Sequence, residues 1–438
     1  MEQGLYNSIT GTTPGDDTEH IVQVDKIQAN LFFDGTRNNY YNVEKADAAT
    51  RAKYGGEDTS YDNALSNVAR MWKVIGLDEF SSDVGVYIEG MGTTKFESDA
   101  MAGYALGTGE TGIETRAQSA FEPLQRKVMK HRGKLGPPAI LELNLYGFSR
   151  GAATARHFAH LLRDQHEIAR HFTDDWSQVQ VVVNFVGLFD TVSSEGIVYG
   201  NDVNDLGLRF SADSARRVFH LIALDEYRLC FSDTTIDSAL KARVSINNLS
   251  VPMGFELGIP GAHSDVGGGY VCDANKSEIE VRDLVPPGWH PDQGVTQGSQ
   301  DFVYQQGWYQ ASDKKASTSH PYRHQRSISG DYYKVALALM VDMAERYTVS
   351  RYSEQLNMIA QTPAIAEIQT ALRQLVQEHA FKPGKPTRIN WELNAQLGTE
   401  RAKAFRHAYL HVSANDNKTG MWARYPTPIT WGRHHEMG

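Results

Sequence analysis

The stretch from Leu141 to Ala153, Leu-Glu-Leu-Asn-Leu-Tyr-Gly-Phe-Ser-Arg-Gly-Ala-Ala, restricts the fold of this chain more than any other. An apolar run enters Gly-x-Ser-x-Gly, and an amphipathic segment from Thr154 to about Arg170 follows, which puts Ser149 at a strand-to-helix corner. Gly147 and Gly151 remove side chains that would collide across so tight a turn, and the serine hydroxyl is left projecting above a sheet edge. Ala152 and Ala153 let the helix lie close to its strand. With 38 glycines in the chain the pentapeptide alone is weak, and a decorative turn is the alternative; the strand before it and the helix after it give it meaning.

Such a corner sits in a sheet of parallel strands. Strand patterns cover Ile21 to Phe33, Val84 to Ile88, Pro138 to Tyr146, Val179 to Phe189 and Val251 to Gly258. Helical periods cover Thr59 to Gly76, Glu114 to Arg132, Ser214 to Phe231, Asp331 to Arg346, Ala364 to Phe381 and about Trp391 to His407. The expected class is α/β, an α/β-hydrolase-like, mostly parallel sheet with helices on both faces. Residues 1–20 read as a loose leader, 21–275 as the catalytic core, 276–330 as an irregular insertion over the site, and 331–438 as a helical flank and tail packed on the core. The apolar stripe Val335, Leu337, Leu339, Met340 and Met343 reads as core packing rather than lipid contact, because the polar faces are not Lys-rich.

Chemistry collects at the strand ends. Asp190 closes a β-branched run, and His263 arrives after another strand in a loop with Gly267, Gly268 and Gly269. The order Ser149, Asp190, His263 is that of nucleophile, acid and base in α/β hydrolases. The backbone amide of Arg150 and amides near Gly35 and Thr36 are the candidate oxyanion donors. Asp265 is an alternative acid and His411 an alternative base. Asp34 as an attacking carboxylate fits less well, because Phe32 and Thr36 stand where a second acid would be needed. A metal-assisted hydrolase using Asp34, Asp190, His263 and Asp265, or a catalytically silent interaction protein on the same fold, are the competing function classes. His220, Asp225, Glu226 and Arg228 read as an ion network rather than catalysts, and Glu89 to Thr94 as a pocket rim rather than a phosphate cradle.

A net charge of −10 argues against nucleic acid as a partner. The two cysteines, Cys230 and Cys272, are too few for a disulfide framework, lack metal-ligand spacing and read as small buried hydrophobes, so no metal and no cofactor is expected. Neither a secretory signal nor a run of about 18 apolar residues is visible, so the chain is expected to fold in the cytoplasm and to need a signal-independent route for any export.

Five motifs in order carry a resemblance: Phe32 to Thr36, Tyr146 to Gly151, Gly187 to Val192, His220 to Arg228 and Pro260 to Tyr270. Together they resemble the α/β-hydrolase family that includes the first class of type VI secretion lipase effectors, over roughly residues 22–275. The resemblance implies a phospholipase A type esterase acting on glycerophospholipids of rival bacteria, with Ser149 as nucleophile, Asp190 as acid and His263 as base. It also implies a secretion spike protein, a cognate immunity protein and peripheral membrane contact as partners, and export to the periplasm of a target cell. The family's first loop usually reads Asp-Gly-Thr-Gly-Asn, whereas Arg37 stands here in place of the second glycine, and the region after 331 is short beside effectors with a large membrane-anchoring module.

Overall fold

The computed structural model describes residues 25–56, 59–76, 84–100, 112–164, 168, 170–172, 176–193, 202–229, 231–246, 248–284, 288–290, 294–296, 299–416, 421, 433 and 435–438. The expected leader, Cys230 and the tail prolines Pro426 and Pro428 lie outside them.

The apolar runs form β1 (Lys26–Phe33), β2 (Val84–Ile88), β3 (Ile140–Phe148), β4 (Gln180–Phe189), β5 (Arg217–Ala223) and β6 (Gly254–Ile259). Two further strands, β7 (Glu278–Asp283) and β8 (Arg323–Ile328), pair antiparallel away from the main sheet, and β9 (Arg388–Asn390) joins its edge. The seven-stranded sheet reads β9-β6-β5-β4-β3-β1-β2, and every neighbouring pair is parallel. Parallel strands need crossovers, and helices lie in them: α1 (Asn67–Gly76) between β1 and β2, α2 (Phe121–Arg132) between β2 and β3, α3 (Arg150–Leu161) between β3 and β4, and α4 (His263–Gly267), α5 (Tyr333–Tyr347) and α6 (Pro363–His379) between β6 and β9; α7 (Thr399–Tyr409) follows β9.

Strand alternation divides the core in two. Leu141, Leu143 and Leu145 of β3 join Leu31 and Phe33 of β1 beneath Phe121 and Leu124 of α2 and Ala155 and Phe158 of α3. Tyr146 and Phe148 turn to the other face with Phe32, Phe185 and Phe189, beneath Met71 and Trp72 of α1 and Val335, Met340 and Met343 of α5. Helices therefore cover both faces, as expected, and the α5 stripe is core packing. Between the two cores runs a buried amide ladder. Asn184 Nδ2 donates to Asn144 Oδ1 (3.1 Å), Asn144 Nδ2 to Asn30 Oδ1 (3.0 Å), and Asn30 Nδ2 to Ser350 Oγ (3.1 Å). It ties β4, β3 and β1 in one register beside the irregularity at Leu143/Asn144.

Three expectations are corrected. Ser214 to Phe231 is not a helix: its middle is β5, whose apolar residues are buried on both faces and so show no period-two alternation. The stretch 276–330 carries β7 and β8, held by a regular ladder, rather than being wholly irregular. The region after 331 is no outer flank alone. It gives the sheet its edge strand β9 and the largely buried α5, because a parallel sheet exposes apolar surface on both faces and α1 alone does not cover the face that Tyr146 and Phe185 present. No described helix is long and apolar enough to cross a membrane.

The crossing of β1 and α3 is close. A Cβ on Gly151 would sit 2.2 Å from the Asp34 carbonyl oxygen and 2.4 Å from that of Phe33. Both obstacles are backbone, so Gly151→Ala is expected to cost about 3 kcal/mol, read as a lower urea midpoint at unchanged m-value.

Candidate active site

Ser149 caps α3 with φ 58° and ψ −130°, a region that L-residues avoid, and it is buried. Packing holds the strained residue in place. Its amide donates to Phe189 O (3.0 Å), its carbonyl accepts from Val192 N (3.3 Å), and Gly147 leaves only enough room for Ala152, which a Cβ would meet at 2.5 Å. These bonds seat the serine directly beside the end of β4, where Asp190 also has a positive φ of 43°.

The Asp190 carboxylate has no exposed surface. Oδ2 meets His263 Nδ1 at 2.6 Å, while Oδ1 accepts from Ala223 N (2.9 Å) and from the guanidinium of Arg433. Burial alone would raise this acid; Arg433, its largest opposing influence, and the bond to His263 outweigh it and hold the carboxyl far below the usual carboxylate range. The carboxylate therefore fixes the imidazole proton on Nδ1 and leaves Nε2 with its lone pair. Burial pushes His263 below the ordinary histidine value, and the Asp190 bond offsets only part of that, so the ring is a neutral base near pH 7. It lies between Phe148 (centroids 4.6 Å) and Phe231 (5.2 Å) at the start of α4, and its backbone amide donates to Glu226 Oε2 (3.1 Å). Phe148 precedes Ser149, which brings imidazole and elbow together. Among the described residues neither Ser149 Oγ nor His263 Nε2 has a hydrogen-bond partner.

The loop after β1 leans on the elbow. Arg150 Nε donates to Thr36 Oγ1 (2.8 Å), and a Cβ on Gly35 would meet the Phe148 ring at 2.6 Å. The Gly35 amide is occupied by Asp34 Oδ1 (2.8 Å), so of the two loop amides only that of Thr36 is left for an oxyanion; the Arg150 amide stands at the first position of α3. Arg37 takes φ 62°, the left-handed conformation that the glycine of the resembled loop would adopt without cost.

The other candidates go elsewhere. Asp34 is locked by Gly35 N, Ser66 Oγ (2.6 Å) and Tyr87 Oη (2.5 Å), and burial raises its carboxyl to about 6. Asp265 and His411 pair with each other, Oδ1 to Nδ1 at 2.7 Å, apart from Asp190 and His263. Burial would lower His411, but Asp265 outweighs it and drives the ring well above the ordinary value; an imidazole that keeps its proton is a poor base. A divalent ion shared by Asp34, Asp190, His263 and Asp265 would find its donors spent and Arg433 already neutralising Asp190. The charged cluster after β5 is the ion network expected. Thr191 N donates to His220 Nε2 (3.1 Å), His220 Nδ1 then donates to Glu256 (3.0 Å), and Glu226 pairs with Arg228 (2.9 Å). Arg433 escaped sequence reading, since it lies 243 positions from its partner in a tail without periodicity.

A parallel sheet with a serine at its central strand-to-helix corner, and an acid and a histidine after later strands, is the architecture of the α/β hydrolases. Residues 163–286, which include Asp190 and His263, match the family model of the Tle1-like phospholipase effector catalytic domain of the type VI secretion system. Three of the five motifs, Gly187 to Val192, His220 to Arg228 and Pro260 to Tyr270, fall within that match, in line with the resemblance. A solved structure of the Tle1 effector bound to the VgrG spike shares the fold, with TM-score 0.57 and 20% identity over 99% of each chain. An uncharacterized protein from Pseudomonas aeruginosa aligns over 82% of this chain and 52% of its own, with TM-score 0.41 and 21% identity. No curated protein matches the sequence.

With His263 neutral, Arg433→Met would leave the buried carboxylate without its cationic partner, at an expected cost of about 3–5 kcal/mol near pH 7. The sign follows from linkage. A depressed carboxyl stabilises the fold above the unfolded value of about 3.9, and that stability is lost as pH falls. The gap between wild type and variant should therefore narrow below about pH 4, measured by chemical unfolding across pH.

Proposed function

We propose that this chain is a serine esterase that hydrolyses the acyl esters of glycerophospholipids and serves as an antibacterial effector of type VI secretion. The observation that carries this reading is the 2.6 Å Asp190–His263 bond set beside the strained Ser149. In the reaction, His263 Nε2 takes the Ser149 proton as Oγ attacks the ester carbonyl. The amides of Arg150 and Thr36 receive the oxyanion, and the imidazolium, stabilised by Asp190, then protonates the departing lysolipid. Water, deprotonated by the same ring, releases the fatty acid and restores the serine. By likeness to the spike-bound effector, a spike protein is the delivery partner; an immunity protein, peripheral membrane contact and action in the periplasm of a target cell complete the proposal.

Ser149→Ala, His263→Ala and the double variant should each lose phospholipid hydrolysis by about 10³-fold or more, with no further loss in the double, because the groups act as a unit. Mass-spectrometric analysis of products from mixed phospholipids reads this, and a fluorophosphonate should label Ser149 in wild type only. Wild-type turnover by Ser149→Ala that chelators abolish would instead establish a metal hydrolase.

Since His263 must be neutral to act and burial lowers its proton affinity, the acid limb of kcat/KM should fall below the ordinary histidine value of about 6.5. A limb above that value would contradict the assignment of the base.

A further inference from the structure

Cys272, Glu278 and His411 come from three separated stretches: the end of the glycine loop, the start of β7, and the segment after α7. Their donor atoms converge within 4.8 Å of one another. Cys272 Sγ is 3.7 Å from His411 Nε2, and His411 Nε2 is 3.6 Å from Glu278 Oε2. The second distance is too long for a hydrogen bond. Both are close to the edges of about 3.5 Å that tetrahedral zinc geometry requires between sulfur, nitrogen and oxygen ligands. Each donor is also aimed. His411 Nδ1 bonds Asp265 Oδ1 at 2.7 Å, which turns Nε2 toward the thiol, and Tyr270 stacks on the ring at 3.6 Å. Glu278 Oε2 is steadied by Val271 N at 3.2 Å. A carboxylate on the far nitrogen of a metal-binding histidine is the usual supporting arrangement.

We infer that Cys272, Glu278 and His411 bind a zinc ion, with water as fourth ligand and Asp265 orienting His411. Local spacing hid the site, because its ligands meet only after β7 and the C-terminal segment have folded against the loop. Thiolate and carboxylate neutralise the divalent charge, and on binding both the thiol proton and the Nε2 proton of His411 leave to solvent, while Nδ1 keeps its proton on Asp265. Cys272 and Tyr270 also line a cavity of about 370 Å³ that gives access. The role is structural. Asp265 bonds both His411 and the Ala262 amide (2.9 Å) at the start of α4, so the ion fastens the helix bearing His263 to the C-terminal segment.

The test uses the full chain, stripped with chelator and titrated with cobalt and with zinc. Wild type should take up one metal per chain, show a sulfur-to-cobalt charge-transfer band with tetrahedral visible absorption, and melt higher with zinc. Cys272→Ser should lose the charge-transfer band and the zinc-induced rise while melting like stripped wild type in chelator. Cys230→Ser should retain both, and Asp265→Asn should weaken cobalt binding about 10–100-fold. Wild type that binds neither metal, or a charge-transfer band that survives Cys272→Ser, would overturn the assignment.

Discussion

A carboxylate without exposed surface can stay ionised only where the protein replaces the water it has lost. At Asp190 the replacement is threefold: an imidazole, a backbone amide and a guanidinium. The rest of the site depends on this. The charge fixes which nitrogen of His263 bears the proton, and β5 supports Asp190 from below through Ala223, with His220 holding the next residue.

The backbone carries the complementary constraint. Ser149 and Asp190 both have positive φ, and neither strain would persist unless the sheet determined it from outside. Phe189 O takes the Ser149 amide and Leu221 O the Asp190 amide, so three adjacent parallel strands set the relative position of two functional side chains. Parallel register, reinforced by the asparagine ladder, therefore sets the geometry of the candidate site.

What could be read from residues alone was whatever has a local period or punctuation. The runs ending at Phe33, Ile88, Phe148 and Phe189 announced themselves as short apolar stretches, leucine-rich in β3 and valine-rich in β2 and β4, and the elbow through its two glycines. The order serine, aspartate, histidine was legible because each lies just beyond a strand. The segment at Arg217–Ala223 was misread as part of a helix, since a strand buried on both faces shows no alternation to mark it. The edge strand Arg388–Asn390 is three residues long and too short to show any period. Arg433 and the cluster at Cys272 were invisible for a different reason: their meaning lies in partners more than a hundred positions away.

The guanidinium of Arg433 gives assembly a direction. Its side chain closes, from 243 positions along the sequence, a buried charge that the sheet by itself leaves bare, so the carboxylate of the site is completed only when that segment docks.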